Sequence, residues 1–155
     1  MLKLVNPQSI FEMLVKHLVD VEEERAQVVK KYFPQSTREK DDYELLMRNY
    51  IKEIERCLSS GEARKIKDGQ CPFVIIGSIV EVEDLQFNEV EKFQIVCPFS
   101  DKNSALTECA SYLSPIGKAL LLKKVNDKVT VDTPAGRFDY VVKSIEIPER
   151  MFKGL

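Results

Sequence analysis

Two regimes of apolar spacing divide the chain. Up to Leu58 the apolar positions recur at alternating steps of three and four. Phe11, Leu14, Leu18, Val21, Val28 and Tyr32 form one such seam, broken once by Arg25. That period lays a single apolar stripe along a helix. Asn6-Pro7 supplies a start, with proline tolerated in the first turn. Pro34 supplies a stop, because it disfavours helical geometry at Phe33. A second helix is predicted from Ser36 or Thr37, either of which suits the N-cap, and Ser36 with Glu39 reads as a capping box. Tyr43, Met47, Tyr50, Ile54 and Cys57 make its stripe, widened by Ile51 and Leu58. Two such helices joined by a short turn pack antiparallel, giving an arm roughly 35 Å long at 1.5 Å per residue.

Beyond Ser59-Ser60-Gly61 the pattern changes to strands. Phe73 to Glu83 is β-rich, and its second half alternates Ile79, Val80 and Val82 against Ser78, Glu81 and Glu83. Lys92 to Cys97 and Leu106 to Ser111 read as two further strands. Ser114-Pro115 opens a short helix through Leu121, with serine at the N-cap and proline at the first helical position. Val129 to Asp132, a turn at Thr133-Pro134-Ala135-Gly136, and Phe138 to Ile147 read as a hairpin. The prediction is an α+β protein. A helical hairpin spans 1–60, a linker 61–72, and an antiparallel sheet carrying one short helix occupies 73–155.

Composition narrows the chemistry. The 155 residues suit one or two small domains. Basic and acidic residues number 23 and 25, so no overall field directs the chain to DNA or to a membrane. Charged residues reach 31%, above the roughly 25% typical of globular chains, as a long solvated helix pair would produce. No apolar run approaches the ~20 residues that span a bilayer, and the N-terminus lacks the apolar core of a signal peptide. The four cysteines include no Cys-x-x-Cys pair, which argues against zinc or a disulfide framework and fits a reducing cytoplasm. The sole histidine, His17, reads as a surface residue of the first helix.

Ser111-Tyr112-Leu113-Ser114-Pro115-Ile116-Gly117-Lys118-Ala119-Leu120-Leu121, followed by Val125-Asn126-Asp127 and Val131-Asp132-Thr133-Pro134-Ala135-Gly136, resembles the C-terminal domain of the bacterial transcript cleavage factors GreA and GreB. The resemblance covers residues ~74–147, in order and spacing. It implies an FKBP-like C-terminal domain behind a helical hairpin. Asn126 replaces the family's usual Gly or Asp, a change compatible with a left-handed turn. Ser114, Pro115, Gly117, Pro134 and Gly136 are signature positions that cap, start, pack and turn; none is expected to do chemistry.

Members of that family bind RNA polymerase and insert the hairpin into its secondary channel, where two tip carboxylates help hold a magnesium ion and a water. Aligning the family's tip tyrosine with Tyr43 puts Ser36 at the aspartate, Glu39 at the glutamate, Lys40 at the asparagine and Asp42 at the later glutamate. The resemblance thus implies Glu39 and Asp42 as tip carboxylates and magnesium ligands, or Asp41 and Glu44 in a shifted register. The same acids also read as solvated charges favoured at a helix N-terminus. The arms are about five residues per arm shorter than the family pattern, which withdraws the tip by several ångströms.

The expected function is regulation of bacterial RNA polymerase through the secondary channel. Two modes are open: stimulating transcript cleavage, or occupying the channel and modulating or inhibiting without cleavage. Ser36 and the short arms favour the second. No cofactor of its own is expected beyond magnesium shared with the polymerase. Lys30, Lys31, Arg38 and Lys40 are candidates to touch nascent RNA, or else ion-pair partners of Glu39 and Asp41. The protein is expected to act as a cytoplasmic monomer without membrane contact, and not as an enzyme itself. A prolyl isomerase on an FKBP-like fold is the alternative of a different class, although this chain has no tryptophan to floor the pocket. A relative of the regulator of nucleoside diphosphate kinase is a third reading.

Overall fold

A computed structural model describes residues 7–64, 71–100 and 107–153. The chain forms two compact units: residues up to 69 together with those from Phe152 on, and Gln70–Met151.

In the first unit α1 spans Pro7–Tyr32 and α2 spans Arg38–Ser60. All five residues of the α2 stripe, Tyr43, Met47, Tyr50, Ile54 and Cys57, are buried. Ile10, Met13, Leu14, Val21 and Val28 of α1 are buried as well. Leu18 and Phe11 are half-buried. Tyr32 departs from the predicted seam and stands 44% exposed. Its place at the end of the seam goes to Phe33, whose ring stacks on Tyr43 with centroids 5.3 Å apart. The chain has left the helix there, so the period that would have turned Tyr32 inward no longer applies.

His17 also departs from expectation. It is half-buried, with Nε2 2.7 Å from the Tyr50 hydroxyl and its ring edge-on to the tyrosine. Burial holds its pKa down at about 4, since a charged imidazolium loses its hydration inside the seam. At the far end of α2, Gly61 provides a left-handed C-cap. Glu62–Arg64, predicted as linker, instead form a 3₁₀ turn that buries Ala63 and lays the Arg64 guanidinium 4.0 Å from the Phe11 ring centroid. The rest of the predicted linker through 70 lies outside the described residues, as does the predicted strand start at Leu106.

The second unit holds β1 (Ile79–Asp84), β2 (Glu89–Val96), β3 (Glu108–Ser111), α3 (Pro115–Leu120), β4 (Lys128–Thr133) and β5 (Gly136–Glu146). The strand order is β3-β2-β1-β5-β4. Three pairings are antiparallel, but β2 and β3 run parallel. The sheet is therefore mixed, not purely antiparallel as predicted. Parallel neighbours need a long connection to bring the chain back to the starting edge, and the segment between Val96 and Glu108 serves here.

The apolar run Phe73–Ile76 is not a strand. It is buried irregular backbone in which Val74 pairs with residues 122 and 123: its N–H donates to the Lys123 carbonyl at 2.8 Å, and its carbonyl accepts from Leu122 N–H at 2.8 Å. Ser78, assigned by alternation to the solvent side, is fully buried. Its hydroxyl donates to the Ile75 carbonyl at 2.6 Å and accepts from Ile75 N–H at 3.2 Å, which removes the cost of burying it unpaired. Val80, Val82, Phe93, Ile95, Val142 and Ile145 make the core of this sheet.

Candidate functional site: the hairpin tip and the signature turns

The tip is the segment Phe33–Thr37 between the helices. Thr37, not Ser36, is the N-cap of α2: its hydroxyl accepts from Lys40 N–H at 3.2 Å. The Ser36–Glu39 capping box is therefore absent. With the cap one residue later, the third helical position falls on Lys40, which has no carboxylate to reach back. Asp41 N–H closes the first turn onto the Thr37 carbonyl at 3.1 Å.

Glu39, Asp41 and Asp42 are exposed and Glu44 is half-buried. At 100° per residue, Glu39 and Asp42 point about 60° apart on one flank of α2. Asp41 and Glu44 are likewise about 60° apart, on the other flank. Both registers thus yield a carboxylate pair on one face, and Glu39 lies one turn before the buried Tyr43, closest to the seam line. Glu39 and Asp41 also complement the positive end of α2, as Lys30 and Lys31 do the negative end of α1. No ion pair joins these tip charges to one another among the described residues. The predicted pairing of the tip cations with Glu39 and Asp41 is not seen; Lys31 lies over the Tyr32 ring at 5.2 Å. Exposed pairs of this kind gain little.

Among the described residues no group of three or more His, Cys, Asp or Glu side chains could hold a metal ion. Glu39 and Asp42 are hard oxygen donors, but two carboxylates make only a minority of the six ligands magnesium takes. Of the cysteines, Cys57, Cys71 and Cys97 are buried thiols and Cys109 is exposed.

In the sheet unit the signature residues are structural. The Ser114 hydroxyl caps α3, accepting from Gly117 N–H at 3.1 Å and donating to the Ser111 carbonyl at 2.7 Å, and Pro115 begins the helix. A Cβ on Gly117 would collide with the Ser111 backbone, whose carbonyl carbon would be 2.7 Å away. Gly136 has φ +126°, a region closed to residues with a side chain, and it ends the turn in which Thr133 Oγ1 accepts from Ala135 N–H at 3.2 Å. Asn126 takes φ +77° while its N–H donates to the Val142 carbonyl. Sequence reasoning missed the four-residue β1–β2 turn, where Asn88 has φ +54° and Leu85 and Phe87 are exposed. Asn88 itself was the available signal.

An antiparallel helical hairpin with a charged tip, followed by a mixed five-stranded sheet bearing one capped helix, defines a two-unit α+β protein. Residues 69–147 match the family described as "Transcription elongation factor, GreA/GreB, C-term". The chain belongs to the GreA/GreB family. It is 40% identical over 72 residues to the transcription elongation factor GreA of Solidesulfovibrio magneticus, a match covering 46% of this chain and 43% of that protein's length. It is 31% identical over 144 residues to the transcription inhibitor protein Gfh1 of Thermus aquaticus, covering 87% of this chain and 91% of that one. The crystal structure of Thermus aquaticus Gfh1 is similar with a TM-score of 0.43 at 26% identity, over 93% of this chain and 98% of that chain.

Proposed function

We propose that this protein regulates bacterial RNA polymerase by inserting its helical hairpin into the secondary channel, and that it restrains the enzyme without stimulating transcript cleavage. The observation that carries this reading is the tip. Ser36 stands in the turn where the family pattern has an aspartate, and Glu39 with Asp42 is the carboxylate pair nearest the seam line. A magnesium ion shared with the polymerase would lose one charged ligand there, and with it Coulomb attraction as well as a coordination site. The relative that matches along 87% of this chain, more than the sheet unit alone occupies, is named a transcription inhibitor; the GreA match spans 46%. Lys30, Lys31, Arg38 and Lys40 then serve as phosphate contacts that position without reading sequence.

The test is RNA cleavage and elongation by purified polymerase stalled in a backtracked complex, with and without this protein. Slower elongation with no added cleavage supports the reading. Cleavage well above the polymerase's own rate overturns the inhibitory mode. Failure of core polymerase to retain the protein at low salt overturns the assignment to polymerase.

A further inference from the structure

Charge is segregated along this chain into two stretches of opposite sign, each carrying an exposed aromatic. Between Glu24 and Glu39 there is no acid, and Arg25, Lys30, Lys31 and Arg38 all fall in that interval. Between Gly77 and Lys92 there is no lysine or arginine, and the interval holds Glu81, Glu83, Asp84, Glu89 and Glu91. The cationic stretch ends α1 and makes the hairpin tip, where Tyr32 is 44% exposed and Lys31 Nζ lies 5.2 Å from its ring centroid. The acidic stretch makes β1, the β1–β2 turn and the start of β2, where Phe87 is 65% exposed.

Both aromatics are held by built structure. Asp84 Oδ1 accepts from Gln86 N–H at 2.8 Å and Phe87 N–H at 3.3 Å, which fixes the turn. Next to Tyr32, Phe33 N–H donates to the Val29 carbonyl at 3.1 Å and its ring stacks on Tyr43, which fixes the helix end. Glu89 opposes Asp84 and Glu91 opposes Val82, while Glu108 opposes Phe93 on β3. Alternation puts these acids on one face at one end of the sheet. Burial, then the charges of Glu91, Asp84 and Glu108, push the Tyr140 hydroxyl up, so these acids converge there.

Glu81 and Glu83 are partnered by Lys92 and Lys143. Glu89, Glu91 and Glu108 form no ion pair among the described residues, and neither do Lys30 and Lys31. One surface is thus an aromatic flanked by lysines and the other an aromatic flanked by carboxylates. Joining them relieves the repulsion within each and takes apolar area of both out of water. A nucleic acid would suit the lysines but be repelled by the acids; a second copy of this chain satisfies both.

We infer that the hairpin tip of one copy docks on the β1–β2 end of the sheet of a second copy, with Lys30 and Lys31 facing Glu89, Glu91 and Glu108, and Tyr32 against Phe87. The docking face is the end of α1, because the tip acids Glu39, Asp41 and Asp42 all lie on α2. Each copy carries both surfaces, so the contact is heterologous, tip to sheet. On the polymerase reading above, a copy docked in this way has its tip covered and cannot insert it. The association itself does not depend on that reading.

The experiment is sedimentation of the full chain over a range of protein and salt concentrations. It compares wild type, Phe87→Ser, Lys30→Glu/Lys31→Glu and Glu89→Lys/Glu108→Lys, whose charge reversals all fall on exposed residues. Circular dichroism and melting first confirm that each variant is folded. Wild type is expected to grow in mass with protein concentration and to return to monomer as salt rises. Each charge reversal alone should need at least about tenfold more protein to associate, because like charges then face each other. An equal mixture of the two charge reversals should recover association, since the acidic tip of one meets the cationic sheet end of the other. Phe87→Ser should weaken association and leave its salt dependence unchanged. A monomer at every concentration overturns the inference. So does a mixture that stays monomeric, or charge reversals that associate as well as wild type. A monomeric wild type that binds short single-stranded RNA, with binding lost in Lys30→Glu/Lys31→Glu, makes the tip's partner a nucleic acid and overturns the inference as well.

Discussion

His17 Nε2 lies 2.7 Å from the hydroxyl of Tyr50, joining the two helices midway along the hairpin. Its pKa is about 4 in the folded chain against an ordinary 6.5, so between those values the unfolded chain holds more protons. Stability from this residue is full above pH 6.5 and drains as pH falls towards 4, with a slope no steeper than about 1.4 kcal/mol per pH unit. Urea unfolding at a series of pH values should show wild type losing more stability over this window than His17→Gln. Tyr50→Phe should cost about 1 kcal/mol at pH 7. Parallel pH curves for wild type and His17→Gln would show that the imidazole keeps its solvent.

Val21 is 2% exposed in the same seam. Val21→Asp puts an unpaired carboxylate between the helices, at a cost of roughly 3 kcal/mol or more. Helix content and melting of the first unit should fall. Unchanged helicity and melting would mean that the seam closes without this position.

Gly117 and Ser114 separate two contributions to the signature turn. Gly117→Ala drives a methyl into the Ser111 backbone and should destabilise by about 2–3 kcal/mol. Ser114→Ala removes the cap of α3 together with the hydroxyl's bond to the Ser111 carbonyl, about 1 kcal/mol. Chemical denaturation reads both values, and an alanine at 117 as well tolerated as one at 114 would contradict the close approach.

Tip chemistry is tested by restoring and removing carboxylates. Ser36→Asp should raise cleavage by backtracked polymerase if ligand number is limiting, and leave it unchanged if arm length is. Glu39→Ala/Asp42→Ala should abolish any residual cleavage while polymerase still retains the protein in a pull-down. Cleavage that survives the double change assigns the work to Asp41 and Glu44.

The helical hairpin was legible because its information is local. Tyr43, Met47, Tyr50, Ile54 and Cys57 sit at helical spacing and all are buried. The errors come where local rules stop. Tyr32 fits the period, but the helix ends beneath it and Phe33 takes the inner position. Phe73–Ile76 has strand composition, yet Val74 bonds to residues 122 and 123 and Ile75 to Ser78, which no alternation rule could indicate. Parallel pairing of β2 with β3 is likewise a property of the connection and not of either strand. At the tip the acidic residue types were readable, whereas the cap at Thr37 depended on which of two adjacent hydroxyls faced the helix.

The order of strands also governs how the molecule is made. β1 sits at the centre of the sheet, and its neighbour on one side is β5, the last of the described strands. During synthesis the two helices emerge first and close on each other through contacts near in sequence, which form quickly. The β1–β2 pair emerges next with one edge of β1 unpaired, and it stays so until β5 leaves the ribosome. An open strand edge recruits other strands. The nascent chain therefore carries its arm before it has its sheet, and its most vulnerable interval is the wait for Gly136–Glu146.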